Sequence, residues 1–203
     1  VTQGGDWPDG TYSSKGNVLI CLGEDDPKDT LVPRLLALGA DLSRVFFAGR
    51  IRNHSDMRAF DPATDLSTIS EAAESISVIL LLIIDPIVSA IPGDSHKNAE
   101  VRRGLQPLVN LASAPNCAAL GISHFNKGSQ GKDPTERITG SIAFGALARV
   151  VFAAAKTPGD HKDGNRIFCR TKSNIGPDDG GFRYDLEQRE LPEGGFIWSS
   201  QHL

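Results

Sequence analysis

Val78-Ile79-Leu80-Leu81-Leu82-Ile83-Ile84-Asp85-Pro86 is an unbroken apolar run that stops at a carboxylate and a proline. It is too short to cross a bilayer, which takes about 20 helical residues. β-Branched Val and Ile at both ends favour a strand over a helix. Continuous rather than alternating hydrophobicity marks a strand covered on both faces, as in a parallel sheet flanked by helices. Asp85 then stands at the carboxyl end of a central strand, where open α/β sheets place their ligands. The same residues also fit a plain core strand closed by an Asp-Pro turn, so the rest of the chain has to decide.

Upstream, Asn17 to Leu22 is a second short apolar run, and it leads into Gly23-Glu24-Asp25-Asp26-Pro27. Asp before Pro is a helix-start signature: the carboxylate caps orphan N–H groups and the proline sits in the first turn. Leu31, Leu35 and Leu38 supply an apolar face and Gly39 ends the helix; Pro33 makes it start late or kink. Residues 1–16 read as a loop about Trp7-Pro8-Asp9-Gly10, Val45 to Ala48 as a strand, and 49–66 as polar and turn-rich. Ser67 to Ser77 reads as a modest helix. Downstream, Ala99 to Ala112 is the clearest amphipathic helix, with Val101, Leu105, Leu108 and Ala112 on one stripe. Cys117 to Ile122 reads as another buried strand, Thr139-Gly140-Ser141 as a helix start, and Arg149 to Ala155 as a strand. Arg166 to Lys172 and Gly181 to Leu186 read as antiparallel strands, and Phe196-Ile197-Trp198 closes the chain. Strands alternating with helices, then a β-rich tail, predict an α/β fold with a mostly parallel sheet.

Composition narrows the field. The 203 residues suffice for one good-sized core, and 39% apolar with 23% charged residues is a globular balance. A net charge of −4 gives no global nucleic-acid footprint, so any such contact needs a local basic patch. No run resembles a signal peptide or a membrane span. Cys21, Cys117 and Cys169 are widely spaced in or beside apolar runs, as reduced core thiols of a cytoplasmic protein are. The single methionine is Met57, so Val1 is no retained initiator and a fragment or processed end is expected.

Two strand ends carry acids, Glu24 and Asp85, and a third leads into His124; in a parallel sheet these ends share one edge. A carboxylate at a buried strand end, followed by a proline without an N–H, suits Mg²⁺ held through water. Glu24 is placed to activate a water and His124 to report a terminal phosphate. Taken singly, Glu24-Asp25-Asp26 is also an ordinary solvated helix start and His124 an ordinary turn histidine. Arg149, Arg170 and Lys172 lie near the ends of later strands, where cations meet phosphate oxygens or simply face solvent. Residues 126–137 carry Lys127, Lys132 and Arg137 among glycines with few acids. They suit either a plain surface loop or one that tracks a nucleic-acid backbone.

The ordered set GEDDP, LLLIIDP, DSHKNAEVRRGLQPL, GISHFNKG, TGSIAFGALARVV and CRTKSNIGP resembles the RecA-like hexameric replicative ATPases and helicases of the plasmid and phage RepA type, over roughly residues 15–180. The resemblance implies a single RecA-like ATPase domain over residues 1–203: a loop at 1–16, an α/β core at 17–155 and a β-rich part at 156–203. It implies ATP hydrolysis with Mg²⁺, coupled to translocation along single-stranded DNA by a hexameric homo-oligomer in the cytoplasm, with no membrane contact. Asp85 matches the Mg²⁺-organising acid, Glu24 the catalytic glutamate and His124 the sensor. Asn126, Lys127, Lys132 and Arg137 match the DNA-facing loop. Arg149, Arg170 and Lys172 match cations that reach a neighbouring subunit's nucleotide.

One motif departs from that family. No G-x-x-x-x-G-K-[ST] phosphate loop occurs in the 203 residues, and Ser14-Lys15-Gly16 is no substitute. The expectation is therefore a core that begins after the phosphate-loop strand and helix, with weak ATP binding. That strand would lie between the strands at 117–122 and 149–155. A different class also fits the same residues: a non-catalytic regulatory, oligomerisation or DNA-binding remnant of such an ATPase.

Overall fold

The computed structural model describes residues 1–23, 26–53, 56–59, 61, 63–113, 117–127, 131, 134–159 and 165–186. In chain order the elements are β1 (Gly5–Asp6), β2 (Tyr12–Ser13), β3 (Asn17–Leu22), a π-helical turn (Pro27–Leu31) running into α1 (Val32–Ala37), β4 (Val45–Ala48), β5 (Arg50–Asn53), β6 (Asp56–Ala59), α2 (Leu66–Ser75), β7 (Ile79–Asp85), α3 (Asn98–Ser113), β8 (Ala118–Gly121), α4 (Ala143–Leu147), β9 (Val150–Lys156), β10 (Arg166–Ser173) and β11 (Gly181–Tyr184). They fall into two compact units. Among the described residues the first is Val1–Asp94 with Arg103–Ser123, and the second is Ser95–Arg102 with residues 124–186.

The first unit holds a parallel four-stranded sheet in the order β4-β3-β7-β8. All six residues of β3 are buried, as continuous hydrophobicity predicts for a strand covered on both faces. Val18, Ile20 and Leu22 pack with Val32, Val45 and Phe47, and Leu31, Leu35, Leu36, Leu81 and Ile83 close over them. The alternate residues Leu19 and Cys21 are fully buried too, as are Leu82 and Ile84 of β7. Each such side chain contributes about 1.5–3 kcal/mol of transfer free energy. β7 begins at Ile79, one residue late, because Val78 has φ 35° and leaves the extended region.

Asp26 caps as its sequence context predicts, accepting from the N–H groups of Lys28 and Asp29 at 2.7 and 3.3 Å. The strain of Pro33 is relieved by the helix itself. A π-helical turn comes first, and Pro33 falls in the first turn of α1, where no intrahelical donor is required. Along α3, Val101, Leu105, Leu108 and Ala112 are buried at the predicted spacing.

Two stretches that read as loop contain strands. β1 and β2 pair about the Trp7–Thr11 turn, and β5 pairs antiparallel with β6 inside the polar stretch 49–66. β1 and β2 are two residues each and β5 and β6 four, too short for an alternation to mark a strand in sequence. The expected buried strand at 117–122 is corrected: every residue of β8 is exposed, Leu120 included. β8 pairs only with β7 and is the edge of its sheet, so its apolar letters are not covered. The strand expected at 196–198 lies outside the described residues. The second unit holds an antiparallel sheet in the order β11-β10-β9: the β10–β11 pair is the one expected of the β-rich tail, whereas β9, expected in the α/β core, pairs antiparallel with β10. β8 and β9 belong to separate sheets and do not pair.

Burial has a chemical consequence at Cys21, whose thiol is pushed up to about 12 by desolvation. The neutral form is favoured in the folded state. The stabilisation is therefore full below the unfolded thiol's pKa and lost as pH climbs from about 9 towards about 12. Native chain treated with a thiol reagent near pH 8 should label half-buried Cys169 and spare Cys21 until denaturant is added. Labelling of Cys21 at the rate of an unfolded thiol would contradict this core.

Candidate functional site

Parallel pairing sets the ends of β3, β7 and β8 along one edge of the first unit's sheet. Leu22 pairs with Asp85 and Ile84 with Gly121. The backbone stitches continue past the strands: Gly23 N–H donates to the Asp85 carbonyl at 2.9 Å, Ile122 N–H to Ile84 at 2.9 Å, and Ile87 N–H to Ile122 at 2.8 Å. Gly23 is needed there, since a Cβ would sit 3.0 Å from Ser89 Oγ and 3.3 Å from Pro86 Cδ. The turn after β3 thus lies directly against the turn after β7. Gly121 is held likewise, with a Cβ position 2.9 Å from Ile87 Cγ1. Asp85 is half-buried at this edge and Pro86 behind it is buried. Glu24 lies outside the described residues.

Among the described residues no group of three or more His, Cys, Asp or Glu is gathered as a closed metal cage would be. A half-buried acid at an open strand end fits a hard cation that keeps most of its ligands as water and phosphate oxygen, the habit of Mg²⁺. The residues present fit that ion. The lysine-bearing loop that would cradle the phosphates of ATP is not among the 203 residues.

The other predicted residues belong to the second unit. His124 is exposed, and its carbonyl accepts from Thr139 N and Oγ1 at 2.9 and 2.8 Å. Asn126 N–H donates to the Arg137 carbonyl at 2.7 Å and its Nδ2 to Ile138 at 3.1 Å. Phe125 bridges Ile138, and the Arg137 guanidinium lies 4.3 Å over the Phe125 ring. His124, Asn126 and Arg137 are therefore brought together at the neck of the 126–137 loop. Lys127 stands exposed just beyond it, and Lys132 lies outside the described residues. The aromatic–arginine clamp at this neck escaped sequence reading; the signal was Phe125 in GISHFNKG paired with a lone Arg past the loop.

Arg149, Arg170 and Lys172 gather about the β9–β10 pair. The Arg149 side chain is exposed, and its carbonyl accepts from Asn174 N–H at 2.8 Å. Arg170 Nη1 donates to Pro177 at 2.7 Å. Lys172 Nζ donates to the carbonyls of Gly145, Ala146 and Ala148 at 2.8, 3.0 and 2.8 Å. An ammonium has three donors, and these contacts use them on the orphan carbonyls at the end of α4.

A family profile described as an AAA domain matches residues 1–130, well over half the chain. The chain belongs to the AAA domain family. The match runs from Val1 through the whole parallel sheet, so it contains Asp85, and it supports an AAA or RecA-like P-loop ATPase. No curated protein matches the chain. For this AAA domain the parallel sheet is the ATPase-type core, and β9 to β11 lie beyond the match.

Lys172→Met removes the charge-assisted bonds while keeping the stem. It should cost about 1.5–3 kcal/mol in denaturant unfolding, because the carbonyls that end α4 lose their donor. An unchanged unfolding midpoint would mean that Lys172 is not the cap of α4.

Proposed function

We propose that this chain is the ATPase core of a replicative helicase of the RepA type, in which ATP hydrolysis moves single-stranded DNA through a cytoplasmic homo-hexamer. The observation that carries it is Asp85 at the carboxyl edge of the parallel sheet of an AAA domain, with Gly23 laid against the turn that follows. Mg²⁺ when bound would neutralise phosphate charge and orient the phosphate oxygens.

Asp85 would hold Mg²⁺ through water by its carboxylate. Glu24, the residue after Gly23 in sequence, takes a proton from the attacking water. His124 hydrogen-bonds a terminal phosphate oxygen and relays its presence to the loop whose neck it shares. Asn126, Lys127, Lys132 and Arg137 line the DNA backbone. Arg149 and Arg170 extend towards a neighbouring subunit's nucleotide, while Lys172 takes that role only if it leaves α4. That last point also supports a second reading: a non-catalytic remnant that keeps oligomer and DNA surfaces.

Nucleotide binding separates the two. Residues 1–203 should bind Mg²⁺-ATP weakly and turn over little. A version extended upstream through any encoded phosphate loop should bind far more tightly, and Asp85→Asn in it should abolish the Mg²⁺-dependent part, about tenfold or more. Equal affinity of the two versions, or robust hydrolysis by residues 1–203, would overturn the dependence on an upstream phosphate loop. An extended version that binds nothing would favour the remnant.

A further inference from the structure

The antiparallel sheet of the second unit has two unlike faces. Strand pairing puts Lys156, Arg166 and Tyr184 on one face, then Ala154, Phe168 and Phe182, then Phe152 and Arg170. The opposite face carries buried Ala153 and, past the bulge at Arg170 and Lys172, the lysine bound to α4. On the first face the rings form a continuous row. Phe152 and Phe168 stack at 5.0 Å, Phe168 and Phe182 lie 5.5 Å apart, and Phe182 meets Tyr184 edge-on at 6.3 Å. This row is not core: Phe152 is 46% and Phe182 40% exposed.

The charges on the three strands themselves are of one sign. Neither Asp nor Glu occurs on β9, β10 or β11, whose ionic residues are Lys156, Arg166, Arg170, Lys172 and Arg183. Acids stand only in the connections: Asp160 and Asp163 between β9 and β10, Asp178 and Asp179 in the turn before β11, and Asp185 after it. Asp185 is occupied by Asn165 N–H at 2.8 Å. Arg170 is held in place by its bond to Pro177. In a chain of net charge −4 such a patch is a local exception. Interfaces between proteins also favour aromatics and arginine, but they deplete lysine. Exposed rings that share their face with Lys156, Arg166 and Arg170 match a polyanion with flat apolar rings, which stack while the cations take the phosphates.

We propose that this face of β9, β10 and β11 is a stacking platform for single-stranded nucleic acid, separate from the loop at 126–137. It needs neither Asp85 nor a nucleotide, so it stands independently of the ATPase reading. Bases lie on the ring row and the backbone follows Lys156, Arg166 and Arg170. A duplex, whose bases are already stacked, is a poor ligand.

The test is fluorescence anisotropy with labelled oligo-dT and oligo-rU of about 15 nucleotides, using the full chain without nucleotide. Phe152→Leu and Phe182→Leu keep apolar bulk at exposed positions and remove the ring face. Each should weaken binding about tenfold, near 1.4 kcal/mol, with an unchanged thermal melt. Lys156→Gln with Arg166→Gln should flatten the salt dependence. Ultraviolet cross-links to thymine should map to β9–β11. The proposal is overturned if the wild-type chain does not bind, if a duplex binds as well as a single strand, or if the ring variants bind unchanged. Cross-links confined to residues 126–137 would assign the ligand to the loop instead. Self-association that the ring variants abolish, without oligonucleotide binding, would make the face a protein contact.

Discussion

Everything in the first unit depends on β3 and β7 lying side by side, parallel and covered on both faces. Six pairs fix their register, ending at Leu22 with Asp85. A slip of one residue would turn the buried set Leu19, Cys21, Leu82 and Ile84 to the other face. That register therefore cannot drift, and it carries Asp85, the one acid at a carboxyl end among the described strands of the parallel sheet, to the edge. The position of Asp85 is thus a consequence of core packing: the same apolar run that buries the strand delivers its terminal acid, half-buried, to the carboxyl edge of the sheet.

The two sheets use side chains in opposite ways. In the parallel sheet, hydrophobicity is spent inward, and the chemistry is confined to the strand ends. In β9 to β11 one face carries its aromatics outward, beside arginine and lysine. The contrast follows from pairing. A parallel sheet needs cover on both faces, whereas an antiparallel one tolerates a solvated face. That solvated face is available for recognition, and its residues are spaced by the strand period rather than by a motif.

The parts of the fold legible in the sequence were those where burial left a continuous apolar signature. β3, β4 and β7 were read within a residue, and α3 by its stripe of Val101, Leu105, Leu108 and Ala112. β5 and β6 were missed because RIRN and DMRA are only four residues each and mostly polar, too brief for the alternation in DMRA to stand out from a polar turn. β8 was read as buried because CAALGI looks like β3; only the strand order reveals that it is an edge. For the site, Asp85 was legible from the run before it. The packing that needs Gly23 and the clamp of Arg137 on Phe125 depend on residues far apart in sequence, which no local pattern records. Lys172 was legible as a cation near a strand end, but its attachment to α4 appears only when the carbonyls of Gly145, Ala146 and Ala148 are in place.

The central claim is that the carboxyl edge of β3, β7 and β8 holds a divalent cation through Asp85. Paramagnetic broadening by Mn²⁺, a Mg²⁺ mimic, reads this residue by residue in amide spectra. The account predicts that the amides of Gly23, Ile87 and Ile122 broaden at lower Mn²⁺ than those beside the exposed acids Asp178 and Asp179, and that Asp85→Asn removes the difference. Broadening that first appears elsewhere, or that survives Asp85→Asn unchanged, would contradict it.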